Sequence, residues 1–359
     1  MKRTLSLLLC AALAVTMLAG CGPKNTSTSD SSAGSESSST SGSGSGGESA
    51  AFNLPNLMVL SGPTGVGAAK LMADQEYARE NGSTPDGGQW ILNSAQVVSD
   101  NTEVAAALTN GDADIAAIAT NAAANLYAKT DGGIQVLAVN TLGVLYILEK
   151  GNTVQTMADL AGKTLYCPSN TKGGNPEHIL NHLLEKNGVS PSDVDIQWLT
   201  PQEITAKLTS SDAGICMLPV PAATALMVQD SGVRQALSLS EEWENLGEGP
   251  LPMGCLVART AYIEENPEGV EAFLKAYEAS INYMSDPANL EEAAQLVAKY
   301  EITPSAKVAE AAIPQCNLTY VTGREMRAML EDYYSVLFQA APDSIGGELP
   351  YDSFYYGVA

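Results

Sequence analysis

Histidine is nearly missing from this chain, with two in 359 residues. That removes most schemes in which imidazole serves as a general base or a metal ligand. Basic residues are scarce as well: 18 Lys+Arg stand against 41 Asp+Glu, for a formal charge of −23. Such a deficit excludes a nucleic-acid partner, whose phosphates demand a basic face. It also excludes a basic helix lying on a membrane surface. Aromatic residues make up 6% and only four are Phe, so no broad apolar docking face is advertised. No CxxC or metal-ligand spacing occurs among the cysteines. No nucleophile elbow, triad-like His or paired-carboxylate motif is present, so no catalytic residue, metal or cofactor is expected.

What is there begins with the leader. Lys2 and Arg3 precede an apolar run from Leu5 to Met17, too short for a convincing membrane span. Leu18-Ala19-Gly20-Cys21 follows and resembles a bacterial lipobox. Residues 1–20 are therefore expected to be a lipoprotein signal peptide, with Cys21 lipidated. Residues 25–50 contain 12 Ser, 5 Gly and 3 Thr. Such a stretch buries too little apolar area to offset chain entropy, so 21–51 reads as a lipidated tether. The expected place is the extracytoplasmic face of a bacterial cell membrane, with a folded body over 52–359.

The body alternates strand and helix patterns, which reads as α/β with mainly parallel sheets. Strands are predicted over 57–60, 90–93, 114–119, 135–140, 144–148, 163–167, 195–199 and 214–218. Helices are predicted over 68–81, 103–109, 176–187 and 202–209. Cys167, Cys216, Cys255 and Cys316 sit in apolar or small-residue settings and read as buried thiols. A Cys167–Cys216 disulfide is the alternative.

One internal match organises the body. Residues 103–126 align without a gap on 203–226, with identities that include Glu103/Glu203, Leu108/Leu208, Asp112/Asp212, Ile115/Ile215 and Leu126/Leu226. Each copy reads as helix, Asp-containing turn, buried strand and a loop opening a second helix. Two lobes of like construction follow, each with its own sheet. Ligands of open parallel sheets bind beyond the carboxyl ends of the strands, where helix openings present N–H groups. A cleft between the lobes is the expected site.

Four loops would line it. Ser61-Gly-Pro-Thr-Gly-Val-Gly-Ala68 contributes Pro63, Thr64 and Gly65. Pro168-Ser-Asn-Thr-Lys-Gly-Gly-Asn-Pro176 contributes Ser169, Asn170, Thr171, Lys172 and Asn175, the last as a helix N-cap. The repeat pair contributes Asn121 on one side and Pro219 and Pro221 on the other. Thr141 and Gly143 lie near the first crossing between lobes, Met253 and Gly254 near the return. His178 and His182 have chelate spacing on one helix, but no third ligand accompanies them. Trp243 and Tyr146 read as packing.

The lipobox, the tether and the early Gly-Pro-Thr-Gly segment form one group of motifs. Met157-Ala-Asp-Leu-Ala-Gly-Lys-Thr-Leu165, the 174–188 stretch, the 212–223 segment and Asn266-Pro-Glu-Gly-Val-Glu-Ala-Phe-Leu274 complete it. In this order they resemble the substrate-binding lipoproteins of ABC importers, of the nitrate/sulfonate/taurine type that includes thiamine-precursor pyrimidine binders. The resemblance implies a two-lobed periplasmic-binding-protein-like fold of type II that closes on its ligand. It implies one lobe over 52–143 plus 253–359, completed by helices over 270–283, 290–300 and 324–338, and the other over 144–252. It also implies a monomer that delivers a small molecule to an ABC permease. A sulfonate-like anion held by helix openings with Thr64, Ser169, Thr171 and Lys172, or a neutral heteroaromatic held by Asn121 and Asn170, both fit. One branch of the fold is a thiamine-pyrimidine synthase marked by clustered cysteines, which this chain lacks. A sensory lipoprotein is the other alternative.

Overall fold

A computed structural model describes residues 52–358. The leader, Cys21 and the tether lie outside the described residues. The body is built on two sheets. The first holds β1 (Asn56–Leu60), β2 (Ser94–Val98), β3 (Ile115–Ala119), β4 (Ile134–Leu142), β10 (Pro252–Arg259) and β11 (Leu318–Val321). The second holds β5 (Leu145–Lys150), β6 (Thr164–Pro168), β7 (Asp195–Leu199), β8 (Gly214–Pro219) and β9 (Val233–Ser238).

The two strand orders correspond. The first sheet runs β2-β1-β3-β10-β4-β11 and the second β7-β6-β8-β5-β9. In each, the first strand lies between two parallel neighbours, β1 between β2 and β3, β6 between β7 and β8. In each, one antiparallel strand is inserted next, β10 against β3 and β4, β5 against β8 and β9. The chain passes from the first sheet to the second between Leu142 and Leu145, and back between Ser238 and Pro252.

The sequence repeat is this correspondence seen in residues. Strands β3 and β8 occupy the same slot. The helices Asn101–Asn110 and Pro201–Ser210 precede them, and Thr120–Lys129 and Ala222–Gln229 follow. The shared identities have two physical roles. Leu108, Leu208, Ile115, Ile215, Leu126 and Leu226 are all buried between sheet and helix. Glu103 and Glu203 occupy first helical turns, where the helix dipole favours a carboxylate. Glu203 also closes a capping box with Thr200, its carboxylate accepting from the Thr200 N–H at 2.8 Å.

Three expectations need correction. The strand expected over 90–93 is not one; its neighbour Ser94–Val98 is. The backbone N–H groups of Ile91 and Leu92 donate to the side-chain Oε1 of Gln75 rather than to a ladder. Strand β2 itself is mostly exposed and carries little apolar signal. Strands β9, β10 and β11 were not expected at all. Lastly, Asn175 is not the N-cap of its helix. Gly174 holds that place, and Asn175 opens the helix Asn175–Lys186 with its side chain spent elsewhere. The later helices, Pro267–Ser285, Leu290–Lys299 and Gly323–Ala340, stand where the resemblance implied them.

Candidate functional site

The carboxyl ends of β1 and β3 carry loops that open helices, and so do those of β6 and β8. This is the edge at which α/β sheets hold ligands. On the first sheet the edge is tightly organised. After β1 the chain turns into the short helix Pro63–Val66. A Cβ on Gly65 would lie 2.3 Å from the carbonyl oxygen of Leu60, so only glycine lets this turn fold back on its strand. Asn140, buried near the end of β4, donates to the Thr64 carbonyl at 3.0 Å and to the Tyr277 hydroxyl at 2.9 Å. Thr141 donates back to Asn140 Oδ1 at 3.1 Å. Gly254 on β10 leaves room for this network, since its Cβ would fall 2.8 Å from both Asn140 Oδ1 and Thr64 Oγ1.

Beside this network, Thr120 donates to the Pro252 carbonyl at 2.7 Å, and Tyr334 donates to the Thr120 carbonyl at 2.8 Å. Asn121, next along the helix Thr120–Lys129, is half-buried. On the second sheet, Ser169, Asn170 and Thr171 form a single turn after β6. Thr171 donates to the Pro168 carbonyl at 2.7 Å, while Ser169 and Asn170 are exposed. The exposed Lys172 has its ammonium 5.9 Å from the Trp198 ring centroid. Pro219 ends β8, and Pro221 follows through a cis Val220–Pro221 bond.

The two edges are bridged. Tyr333, on the helix Gly323–Ala340, donates to Asn175 Oδ1 at 2.7 Å. Asn175 Nδ2 in turn reaches Met253 Sδ at 3.6 Å. Tyr146 on β5 donates to the Gln315 carbonyl at 3.3 Å, and Thr224 donates to Gln315 Oε1 at 3.2 Å. Asn317 donates to the Gly143 carbonyl at 2.5 Å, pinning the first crossing. The Trp243 and Tyr333 rings approach at 6.1 Å between centroids, both fully buried.

The structure thus gathers Thr64, Thr141, Met253, Gly254 and Asn175 into one contiguous junction. It leaves Ser169, Asn170 and Lys172 on the open rim of the second sheet. Sequence reasoning missed Tyr333, Gln315 and Asn140. For Asn140 a signal exists, an amide at the end of an apolar run. For Tyr333 and Gln315 there is none short of tertiary structure.

The remaining chemistry-bearing groups are engaged otherwise. His182 Nε2 lies 2.8 Å from Glu248 and packs on Trp243, and His178 has no such partner. Among the described residues, no group of three or more His, Cys, Asp and Glu is placed to hold a metal. Cys167, Cys216, Cys255 and Cys316 are buried free thiols. Burial pushes Cys167 and Cys316 up to about 12. A cavity of about 630 Å³ between the helices Ala69–Asn81 and Pro267–Ser285 shares no lining residue with the strand ends.

The NMT1/THI5-like family model matches residues 95–289, more than half of the chain. The chain belongs to the NMT1/THI5-like family. A Brucella abortus relative that carries a provisional binding-protein name is 23% identical over 175 residues, covering 49% of this chain and 52% of its own. The nitrate/nitrite binding protein of Synechococcus elongatus is 26% identical over 140 residues, covering 39% of this chain and 30% of its own. This NMT1/THI5-like chain thus spans about half the length of the first of these relatives.

Among solved structures, an ABC transporter protein of Parabacteroides distasonis superposes with a TM-score of 0.65 at 22% identity, over 84% of this chain and 98% of that one. The periplasmic aliphatic sulphonate binding protein of Escherichia coli gives 0.64 at 17% identity, over 85% and 92%. The fold of this NMT1/THI5-like protein is therefore the two-lobed α/β fold of periplasmic binding proteins. Among the described residues, no helix is long and apolar enough to cross a membrane.

Proposed function

We propose that the protein captures a small solute between its two lobes and delivers it to an ABC import permease, without chemistry of its own. The observation that supports this most is the pair of equivalent sheets whose loop-bearing edges meet at the Tyr333–Asn175 bridge. A ligand that contacts both edges only when they are close shifts the population toward closure. We place the lobe boundaries at the two passages between sheets, with 52–143 plus 253–359 in one lobe and 144–252 in the other. The protein acts as a monomer, held at the extracytoplasmic face by lipid on Cys21, with residues 21–51 as the tether.

Two measurements test this. Small-angle scattering of the full chain, with a solute that raises its melting temperature, is expected to show a smaller radius of gyration at saturation. An unchanged radius overturns capture by closure. In bacteria fed labelled palmitate, the chain is expected to incorporate label and Cys21→Ser to lose it. Equal labelling of the two overturns the anchor.

A further inference from the structure

Resting on the capture reading above, we propose that residues Ile302–Cys316 form a strap beside the hinge, and that the gap the strap leaves against the second lobe is the room the lobes need in order to part.

The strap is set off by its two ends. Among the described residues, the non-glycine residues with positive φ are Asp131, Glu301 and Asn317. Two of these bracket the strap, Glu301 at φ 57° and Asn317 at φ 45°. Asparagine visits that region readily, whereas glutamate is held there under strain. Each end is also tied down. Gly62 N–H, in the loop after β1, donates to the Ile302 carbonyl at 3.0 Å. Leu142 N–H donates to the Asn317 carbonyl at 3.0 Å, and Asn317 Nδ2 donates to the Gly143 carbonyl at 2.5 Å. A Cβ on Gly143 would fall 1.8 Å from Ser240 Oγ, so the far end of the strap is fixed where the two passages between lobes touch.

Between these ends the strap crosses to the second lobe. Its helix Ala306–Ala312 lies against Ala222–Gln229. Gln315 accepts from Tyr146 and Thr224 of that lobe. Ala309, Ala312 and Ile313 share an apolar cluster with Tyr146, Cys216 and Leu218. Tyr333 and Trp243 share a different one with Ile147 and Met217. Neighbouring residues of one strand point to opposite faces of its sheet. The first lobe therefore grips the second sheet on both faces, by the strap on one and by Tyr333 on the other. The chain enters that sheet from the first passage through β5, between the two grips.

The grips differ in how well they are filled. At the Tyr333 face the rings are fully buried. At the strap face a cavity of about 330 Å³ lies between the two helices, lined by Ala225, Val228 and Gln229 on one and by Lys307, Val308 and Ala311 on the other. Val228 is 56% exposed. A rock of the second sheet about β5 that breaks the Tyr333–Asn175 bond presses Ala222–Gln229 toward the strap. The gap admits that movement. Once filled, the strap becomes a stop and the lobes stay together.

Small-angle scattering of the full chain without solute tests this. Tyr333→Phe removes the bond on one face and is expected to enlarge the radius of gyration. Adding Ala311→Leu or Ala225→Leu, which fill the gap from its opposite walls, is expected to return the radius to the wild-type value. Adding Ala311→Ser, which leaves the gap open, is expected to keep it enlarged. Filled chains as large as Tyr333→Phe overturn the strap as a stop and leave capture standing, because capture is read from the compaction of wild type on its solute. Loss of a cooperative melt in both filled chains overturns it too, since the gap then has no room to give. A Tyr333→Phe chain of wild-type radius leaves no rocking for the gap to admit and also overturns it. Wild type that does not compact on its solute sinks capture and the strap together.

Discussion

The hydroxyl of Tyr333 donates to Oδ1 of Asn175 at 2.7 Å across the junction of the two lobes, 158 residues apart in sequence. Both groups are buried, so the bond exists only while the lobes are together. Removing the donor leaves Asn175 Oδ1 buried without it, at a cost of about 1–3 kcal/mol to the closed arrangement. Tyr333→Phe is therefore expected to enlarge the unliganded radius of gyration and weaken ligand binding. Tyr334→Phe is the control, because its hydroxyl bonds to the Thr120 carbonyl within one lobe. It is expected to lower the melting temperature without enlarging the particle. Scattering profiles of both variants decide it; equal radii for wild type and Tyr333→Phe would discard the latch.

Gly254→Ala tests the network behind the strand ends. Its Cβ would press on Asn140 Oδ1 and Thr64 Oγ1, and neither can swing aside freely. Asn140 is held by two hydrogen bonds, and Thr64 is on a buried helical turn. Overpacking of this kind costs about 1–3 kcal/mol. A melting temperature lower by several degrees is expected by calorimetry. No change would mean that the Asn140 network is looser than its geometry.

The repeat was legible because local and tertiary demands coincide there. Leu108 and Leu208 fill the same helix–sheet interface, and Glu203 serves the helix opening of its own copy. Strands β10 and β11 were not legible, because their pairing is with segments more than a hundred residues away. Pro252 and Gly254 read as a loop, since neither residue type favours a strand. The strand survives because β3 and β4 flank it on both sides. Around the site, Thr64 and Asn175 could be named from turn chemistry. The role of Asn175 could not: a cap and a bridge to Tyr333 use the same amide, and only the arrival of the helix Gly323–Ala340 decides between them.

The thiols should be inert. Burial raises all four, Cys167 and Cys316 to about 12, so thiolate is nearly absent at neutral pH. Maleimide is expected to leave Cys167, Cys216, Cys255 and Cys316 unmodified in the native protein and to label each after denaturation, read by peptide mass spectrometry. Labelling of Cys167 in the native state would show that β6 opens readily.

Acid should act through Glu149. This carboxylate is buried on β5, which by itself raises its pKa. The hydroxyl and N–H of Thr153, each at 2.7 Å, the Val154 N–H and Arg234 outweigh that effect and hold it below the ordinary range. A carboxyl group depressed on folding contributes stability above its unfolded pKa of roughly 4.3, and loses it as pH falls through the folded value. Glu149→Gln removes the charge partner of Arg234, which keeps its bonds to the Gly151 and Val154 carbonyls and is partly exposed, so the expected cost near neutrality is about 1–3 kcal/mol. The gap between wild type and Glu149→Gln should then narrow as pH falls below roughly 4. Denaturant melts of both proteins from neutral to acid pH check this. A gap that stays constant into acid would mean that Glu149 supports β5 through its shape rather than its charge.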